Sequence, residues 1–555
     1  MAPAGAARRG KPLSRAAAHA RTIDRPLERS VGPWLEAALA AATIALLVFI
    51  RWQFVGIPME RDEGAYAVVG QRLVMGLTPY VDFYDHRPPG FFLAYGLLVK
   101  LAGYDYIQLQ RAFCAVFGLI LVCSHLVFRR LMRVEVALAL LPVYGLALLN
   151  PHCSGFTIQS EFVVLLFACV GLACLLSGMA TGRLWLVALA GAFLGWSALV
   201  KEVGLAYVGC GAMWLWLARW EGATRPEVAR RLGAYAAGVA LAGVAALAWI
   251  VHYGVLTQAL FWIVEFPRKY YLGAMTLSDG LPYLAYFLRR LVTEQPLFWT
   301  LGAVGLALGA FTRVPAATKA RAYLLVLCAA STVTPGFRFM NHYWILFMPG
   351  LAVGIALAYE WTAERLGSAR APLLLAAFVA IPAANLFASR GYYFHPDFDD
   401  VLHAAYSTNP FPEMRVVADW LNARLRPADE IFVAGSEPEL YLYTHRTGIS
   451  RHIFAEFLTV PSPFSHQWQL EAIADVEKAQ PRFVVNVLHP FSWTLSEESD
   501  TTLYDWTGSY LPQHYNFLYV ADQVEPGIRT EYVSARERPD YKLQGKWFVA
   551  VWERK

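Results

Sequence analysis

Trp34-Leu-Glu-Ala-Ala-Leu-Ala-Ala-Ala-Thr-Ile-Ala-Leu-Leu-Val-Phe-Ile50, followed shortly by Pro58-Met-Glu-Arg-Asp-Glu-Gly-Ala-Tyr66, is the stretch on which the reading of this chain turns. Its first part is apolar over a length that can cross a hydrocarbon core of ~30 Å as a helix. Its second part sets Glu60, Arg61, Asp62 and Glu63 just beyond that helix, where a solvated membrane face begins. Upstream, Arg8, Arg9, Lys11, Arg15, Arg21, Arg25 and Arg29 make a basic segment that is long for the n-region of a cleaved signal peptide. Residues 1–33 therefore read as a cytoplasmic basic N-terminus ahead of a retained anchor.

Further apolar runs lie near 107–128, 134–150, 160–179, 184–200, 203–218, 232–252, 296–311, 321–335, 343–360 and 371–388. Together with the first they predict a polytopic α-helical membrane protein of about eleven transmembrane helices. Only 16% of the 555 residues are charged and 57% are hydrophobic, whereas soluble domains are about a quarter charged. The formal charge of +5 does not form one basic patch, which argues against nucleic acid as a partner. Seven cysteines make no disulfide framework, and neither a P-loop nor a GxGxxG fingerprint is present to drive ATP-dependent transport.

Arg129, Arg130, Arg133, Arg183, Arg219, Arg225, Arg230, Arg231, Arg313, Lys319, Arg321, Arg365 and Arg370 all sort to one side of the membrane under the positive-inside rule. The long connections 51–106 and 253–295 then fall on the exported face, within a transmembrane region spanning 34–391. An odd number of crossings exports residues 392–555 as well. There the long apolar runs stop, and β-rich stretches such as Ile431–Ala434, Phe483–Val487 and Phe517–Val520 alternate with helical ones such as Pro412–Leu425 and Gln469–Ala479. This pattern predicts a small exported α/β domain. The whole reads as an integral protein of the cell (inner or plasma) membrane.

The chemistry is concentrated in the first exported loop. Pro58–Tyr66 and Pro79-Tyr-Val-Asp-Phe-Tyr-Asp-His-Arg-Pro-Pro-Gly90 are clusters of acids and bases, each carrying a glycine (Gly64, Gly90) that permits close backbone approach. Rigid Pro88-Pro89 follows His86-Arg87, and more charges recur at exported helix ends, namely Glu161, Lys201, Glu202, Arg268, Lys269, Arg338 and His342.

Arg61-Asp62-Glu63-Gly64-x-Tyr66, Tyr84-Asp85-His86-Arg87-Pro88-Pro89-Gly90 and Gln159-Ser160-Glu161 at a helix start resemble the C-type glycosyltransferases. The resemblance is to the branch of protein O-mannosyltransferases and lipid A aminoarabinose transferases, and is best over the first two hundred residues. It implies that a sugar is moved from a polyprenyl-phosphate donor to a lipid, glycan or protein acceptor at the exported face, with Asp62 as catalytic base. Chemistry gives that role a reason of its own: a carboxylate within hydrogen-bond reach of an attacking hydroxyl or amine accelerates transfer typically ~10²–10⁴-fold. By similarity Arg87 meets the leaving phosphate, and Glu161 matches the family's second acid. That acid would orient Asp62 or the acceptor, help hold a metal, or simply pair with the helix dipole.

Glu63, Tyr66, Tyr84, Asp85, His86, Lys201, Arg268, Lys269, Arg338 and His342 complete the candidate substrate-binding set. Tyr66 lies one helical turn beyond Asp62, and the spacing of Arg338 and His342 suits one helix face. Plainer alternatives stand beside several of these. Arg268 and Lys269 read equally as a snorkelling pair among aromatics, Tyr84 and His86 as interfacial anchors, and Lys201 as a solvated helix end. Asp62, Glu63 and Glu161 suit a hard divalent cation, but arginine alone also serves for a phosphate. The aromatic segment after Gly90, with Phe91, Phe92 and Tyr95, reads either as a groove for the carrier chain or as interfacial packing. His86 stands where the lipid A enzymes carry an acid and Arg87 where they carry lysine, which weighs against aminoarabinose as the donor sugar. The tail offers Glu437, Glu439 and His489 at loop positions, and otherwise reads as a lid or scaffold. A lipid-linked-sugar transporter is the rival reading, but it expects charges near the membrane midplane rather than clustered at one face.

Overall fold

The computed structural model describes residues 32–271 and 275–555, so the basic segment Arg8–Arg29 lies outside the described residues. Each apolar run forms a helix: α1 (Pro33–Trp52), α4 (Tyr106–Leu131), α5 (Val134–Leu148), α6 (Ser160–Thr181), α7 (Leu184–Val200), α8 (Leu205–Leu217), α9 (Arg225–Tyr253), α11 (Pro296–Leu308), α12 (Ala316–Ser331), α13 (Met348–Leu366) and α14 (Ala371–Ala388). Three more helices, α2 (Arg61–Val74), α3 (Pro89–Ala102) and α10 (Leu277–Glu294), occupy the two long connections.

Of these, six are long and apolar enough to cross a membrane, and a seventh span arises if α10 and Pro296–Phe311, bent by 111° at their junction, count as one. The expected number of about eleven is thus reduced, because several runs form short helices: α5 has 15 residues, α7 17 and α8 13. Lys201 and the 3-10 turn Glu202–Gly204 separate α7 from α8, where one apolar run ends and the next begins, and a Cβ on Gly204 would lie 2.4 Å from the Ser197 carbonyl carbon. The 13 residues of α8 rise only about 20 Å. Helices meet through small residues: a Cβ on Gly191 would lie 2.1 Å from the Tyr235 oxygen, and one on Gly238 1.8 Å from the Ala188 oxygen, so α7 and α9 touch backbone to backbone.

After α14 the chain forms α15 (Phe398–Tyr406), α16 (Phe411–Asn422), β1 (Ile431–Ala434), α17 (Glu439–Tyr443), α18 (Ala455–Thr459), α19 (Ser465–Ala479), β2 (Phe483–Leu488), α20 (Thr502–His514), β3 (Tyr515–Glu525), β4 (Arg529–Ser534) and β5 (Trp547–Arg554). The five strands make one mixed sheet of order β1-β2-β5-β3-β4, in which only β1 and β2 are parallel. Their crossover contains α19, as a parallel pair requires. Val433, Ala434, Val484 and Val485 are buried, and so are Ser436, Glu437 and His489 just beyond the carboxyl ends of β1 and β2.

The loops that leave those ends dock on α2, the one after β2 through Arg61, which donates to the Phe491 oxygen, and the one after β1 at Arg72 and Gly64. The Arg72 guanidinium donates to the Thr447 oxygen at 2.5 Å and the Ser450 oxygen at 2.7 Å. Gly64 is where α17 presses closest, since a Cβ there would sit 2.2 Å from the Glu439 nitrogen. The two glycines of the acidic and basic clusters therefore admit protein backbone, Gly64 that of Glu439 and Gly90 that of Leu199 at 2.6 Å.

Candidate active site

Helix α2 starts with a reciprocal cap. The Glu60 carboxylate accepts from the Glu63 N–H and the Glu63 carboxylate from the Glu60 N–H, both at 3.1 Å. The second Glu63 oxygen accepts from the Ile158 N–H at 2.7 Å, while Gln159 Nε2 donates to Glu60 at 2.7 Å. Glu63 is thereby committed to joining α2 to the loop before α6. Burial pushes its carboxyl up to about 7 against the pull of these N–H groups.

The cap fixes Asp62 and, one turn on, Tyr66. The Tyr66 hydroxyl lies 3.2 Å from both Asp62 Oδ2 and Gln159 Oε1, so its single proton serves one acceptor at a time. It accepts from Arg87 Nη2 at 2.7 Å. Arg87 Nη1 is also held by both oxygens of Asp85, at 3.0 and 2.8 Å, and the guanidinium lies over the rings of Tyr66 and Phe91. Burial works against the Arg87 charge, but Asp85, Tyr66 and Asp62 hold its pKa well above the usual value. His86 is driven the other way, well below its usual value, by burial and by Arg87, Lys201 and Arg338. Its imidazole is neutral near pH 7. Pro88-Pro89 starts α3, and the contact of Gly90 with Leu199 brings this loop to the end of α7.

There Lys201 meets Glu161. Lys201 Nζ donates to Glu161 Oε1 at 2.5 Å and lies 4.7 Å from the centre of the Tyr343 ring. Glu161 is fully enclosed, and His342 Nε2 stands 3.8 Å from the same oxygen. Lys201 is thus no solvated helix end. Arg338 donates to the Tyr271 oxygen at 2.7 Å and lies over that ring at 4.4 Å. The Tyr271 ring is 5.1 Å from His86, and its hydroxyl donates to Glu456 Oε1 of α18 at 3.1 Å.

Arg338 and His342 do not share a helix face as their spacing suggests. Arg338 sits in an irregular turn before the 3-10 helix Asn341–Phe347, between Phe337 and Phe339, both in the left-handed region at φ 51° and 47°. Strain of this kind costs about 1–3 kcal/mol per residue and collects where geometry is functionally constrained.

Not every candidate converges. Arg268 and Lys269 are exposed, and Lys269 pairs with Glu265 at 2.7 Å. The π-helical turn Pro267–Tyr271 presents Tyr271 to the cluster and turns those two cations outward. Tyr84 donates to or accepts from His452 Nδ1 at 2.6 Å and stacks on Trp262 at 4.1 Å, which ties the loop to the tail. Phe91, Phe92 and Tyr95 are fully buried, with the Tyr95 hydroxyl on the Ile158 oxygen at 2.6 Å, so they wall the site from within and do not face lipid.

No group of three or more His, Cys, Asp or Glu among the described residues is arranged to hold a metal ion. The backbone N–H groups on Glu63 and the amine on Glu161 show why these acids do not fit a resident cation. What remains open is a rim of partly exposed side chains, Asp62, His86, Tyr271, Arg338, His342 and Glu456, backed by the buried Arg87–Asp85 and Lys201–Glu161 pairs. Tyr271 and Glu456 were not foreseen. Tyr271 stands in an aromatic run beside two more conspicuous cations, and Phe454-Ala-Glu-Phe457 carries no motif that distinguishes its acid.

Apolar helices around a charged rim at one end of the bundle define an integral membrane protein with a polar site at its margin. No protein-family model matches the sequence, and no curated protein does either. Among solved structures, ArnT from Cupriavidus metallidurans in the apo state matches with TM-score 0.54 and 14% identity, covering 93% of this chain and 97% of that one. The same protein bound to undecaprenyl phosphate gives 0.52 and 16%, covering 83% and 95%. The Archaeoglobus fulgidus oligosaccharyltransferase in complex with zinc and sulfate gives 0.50 and 12%, covering 89% and 73%. The chain therefore has the fold of the C-type glycosyltransferases.

Proposed function

We propose that this protein is an integral-membrane glycosyltransferase that takes a sugar from a polyprenyl-phosphate donor in the bilayer and places it on a lipid, glycan or protein acceptor at the exported face. The observation that carries the reading is Asp62. It is a partly exposed carboxylate at the start of α2, held by one hydroxyl and faced by the Arg87 guanidinium, in a fold shared with a protein that binds undecaprenyl phosphate.

The acceptor oxygen or nitrogen attacks the anomeric carbon from the side opposite the phosphate. Its proton passes to Asp62, the bond from the anomeric carbon to the phosphate oxygen breaks, and the configuration inverts. The polyprenyl phosphate leaves with the bonding pair. Its added negative charge is met by Arg338, whose only hydrogen bond among the described residues is to a backbone oxygen, with Arg87 behind. Tyr66 links Asp62 to Arg87, so the base and the phosphate partner are positioned by one hydroxyl. Lys201 and Glu161 hold the bundle ends that carry these groups.

The test is transfer of radiolabelled sugar from a panel of polyprenyl-phosphate donors by the full chain in membranes. Asp62→Asn lowers transfer by at least about 10²-fold with the protein still inserted. Full transfer by Asp62→Asn refutes the base, and no transfer by wild type from any donor refutes the enzyme.

A further inference from the structure

We infer that Glu456, contributed by the tail, binds the acceptor, and that the acceptor is a polyhydroxylated unit, a saccharide that offers its reacting hydroxyl to Asp62 and a neighbouring hydroxyl to Glu456. This rests on the glycosyl-transfer reading above.

Glu456 is built into place. Its N–H donates to Ser436 Oγ at 3.0 Å, and the Ala455 N–H donates to the Gly435 oxygen at 3.2 Å. The Ser436 N–H in turn donates to Ser492 Oγ at 2.9 Å, and that hydroxyl donates to Glu437 Oε2 at 2.7 Å. Glu437 pairs at 3.4 Å with Arg61, the residue before Asp62. A Cβ on Gly435 would lie 2.5 Å from Glu437 Oε2 and 2.6 Å from Ser492 Oγ, so a larger residue there would push these two side chains out of their present contacts. The loops after β1 and β2 thus lock α18 to the start of α2, and the tail is part of the site.

The carboxylate itself is uncommitted. Among the described residues only the Tyr271 hydroxyl bonds it, and no cation lies within ion-pair distance of it. Glu437 and Glu439, by contrast, are fully buried, whereas Glu456 is partly exposed on the rim. Tyr271 joins Glu456 to Arg338, its hydroxyl on the carboxylate at 3.1 Å and its ring under the guanidinium at 4.4 Å, and burial raises the Glu456 pKa, with Arg338 pulling against that and Asp62 adding to it. Carboxyl oxygens accept hydrogen bonds, and Arg338 beside them disfavours a cation. A neutral molecule with adjacent O–H donors satisfies both acids at once, and a site built to bond a hydroxyl rejects the analogue that lacks it.

The detergent-solubilised full chain, supplied with whichever donor it uses, is tested with n-octyl β-D-glucopyranoside and with n-octanol as acceptors. Wild type favours the glycoside by at least about 10-fold in kcat/KM. Glu456→Gln, which keeps an oxygen for the Tyr271 hydroxyl, raises the glycoside KM until the preference falls to about 3-fold or less, with kcat little changed. Glu456→Asp restores part of the preference, and Tyr271→Phe moves KM the same way by less. An unchanged glycoside KM in Glu456→Gln, a loss confined to kcat, or equal use of octanol by wild type overturns the inference alone. Wild type that uses neither acceptor with any donor overturns it together with the reading it rests on.

Discussion

Lys201→Met removes the amine 2.5 Å from Glu161 and leaves a carboxylate whose side chain is 0% exposed without its principal partner. His342, 3.8 Å away, offers a compensating charge only if it takes up a proton. Breaking a buried pair from one side typically costs about 3–5 kcal/mol, because the surviving charge stays desolvated. Removing both charges, in Lys201→Met with Glu161→Gln, returns most of that loss. The amide oxygen still accepts from Ser160 Oγ, now 3.2 Å from Glu161 Oε2, and the methionine fills the space beside the Tyr343 ring. Thermal unfolding of wild type, both single variants and the double variant in one detergent gives the coupling energy directly. The expected pattern is a double variant more stable than Lys201→Met. Additive losses, with a coupling under about 0.5 kcal/mol, refute the pairing. Transfer rate separates a second issue: a folded double variant that still transfers sugar makes the Lys201–Glu161 pair a support, and a folded but inactive one makes the pair part of the transfer machinery.

Gly64→Ala sets a Cβ 2.2 Å from the Glu439 nitrogen and 2.4 Å from its Cα, backbone that has no rotamer to yield. It should destabilise by about 1–3 kcal/mol, open the loops after β1 to limited proteolysis, and lower transfer up to ~10²-fold by shifting Asp62; unaltered protease protection would count against the docking of tail on α2. Glu63 is raised by burial from its ordinary 4.5 to about 7, so the folded chain holds this proton more tightly than the unfolded one. The stability it contributes is complete below about pH 4.5 and is lost as pH rises through about 7. Glu60, raised well above its ordinary value mainly by burial, adds to the same slope. Glu63→Gln should therefore make the melting temperature less pH-dependent between about pH 5 and pH 8, and an undiminished slope would remove Glu63 as its source.

The helices were legible because hydropathy is local: every apolar run from Trp34–Ile50 to 371–388 is helical. Their ends were not: the run 232–252 lies inside a helix that begins at Arg225 behind a Thr224 cap, and the run 343–360 opens as the 3-10 helix Asn341–Phe347, because caps and packing, not hydropathy, set where a helix starts. At the site, Asp62, Tyr66, Arg87, Glu161 and Lys201 stood out as polar groups beside apolar spans, and the structure gathers them. Glu63 stood out equally but is turned to the Ile158 N–H, since a helix cap and a substrate ligand look alike in sequence. Arg268 and Lys269 were misleading for a geometric reason, as a π-helical turn changes which residue of Pro267–Tyr271 faces inward. Glu456 was invisible because its meaning comes from the fold of the tail. Ser436, Ser492 and Glu437, on two loops of one sheet, carry it to a helix near the other end of the chain.

The charges that are already matched say which ones are left for substrate. Arg87 is held by both oxygens of Asp85, and Lys201 by Glu161, so neither pair presents net charge to the opening. His86 is neutral. Asp62, Glu456 and Arg338 remain, two acids and one base. In the proposed reaction a donor phosphate meets Arg338 first, and it recruits Arg87 only by competing with Asp85 for the guanidinium. That competition favours the transition state over the bound donor, because the phosphate gains negative charge only as the sugar leaves. A guanidinium clamped by a neighbouring acid gives up little to a singly charged diester and more to a departing phosphate monoester, so in the proposed reaction the Asp85–Arg87 pair would favour the departing phosphate over the bound donor.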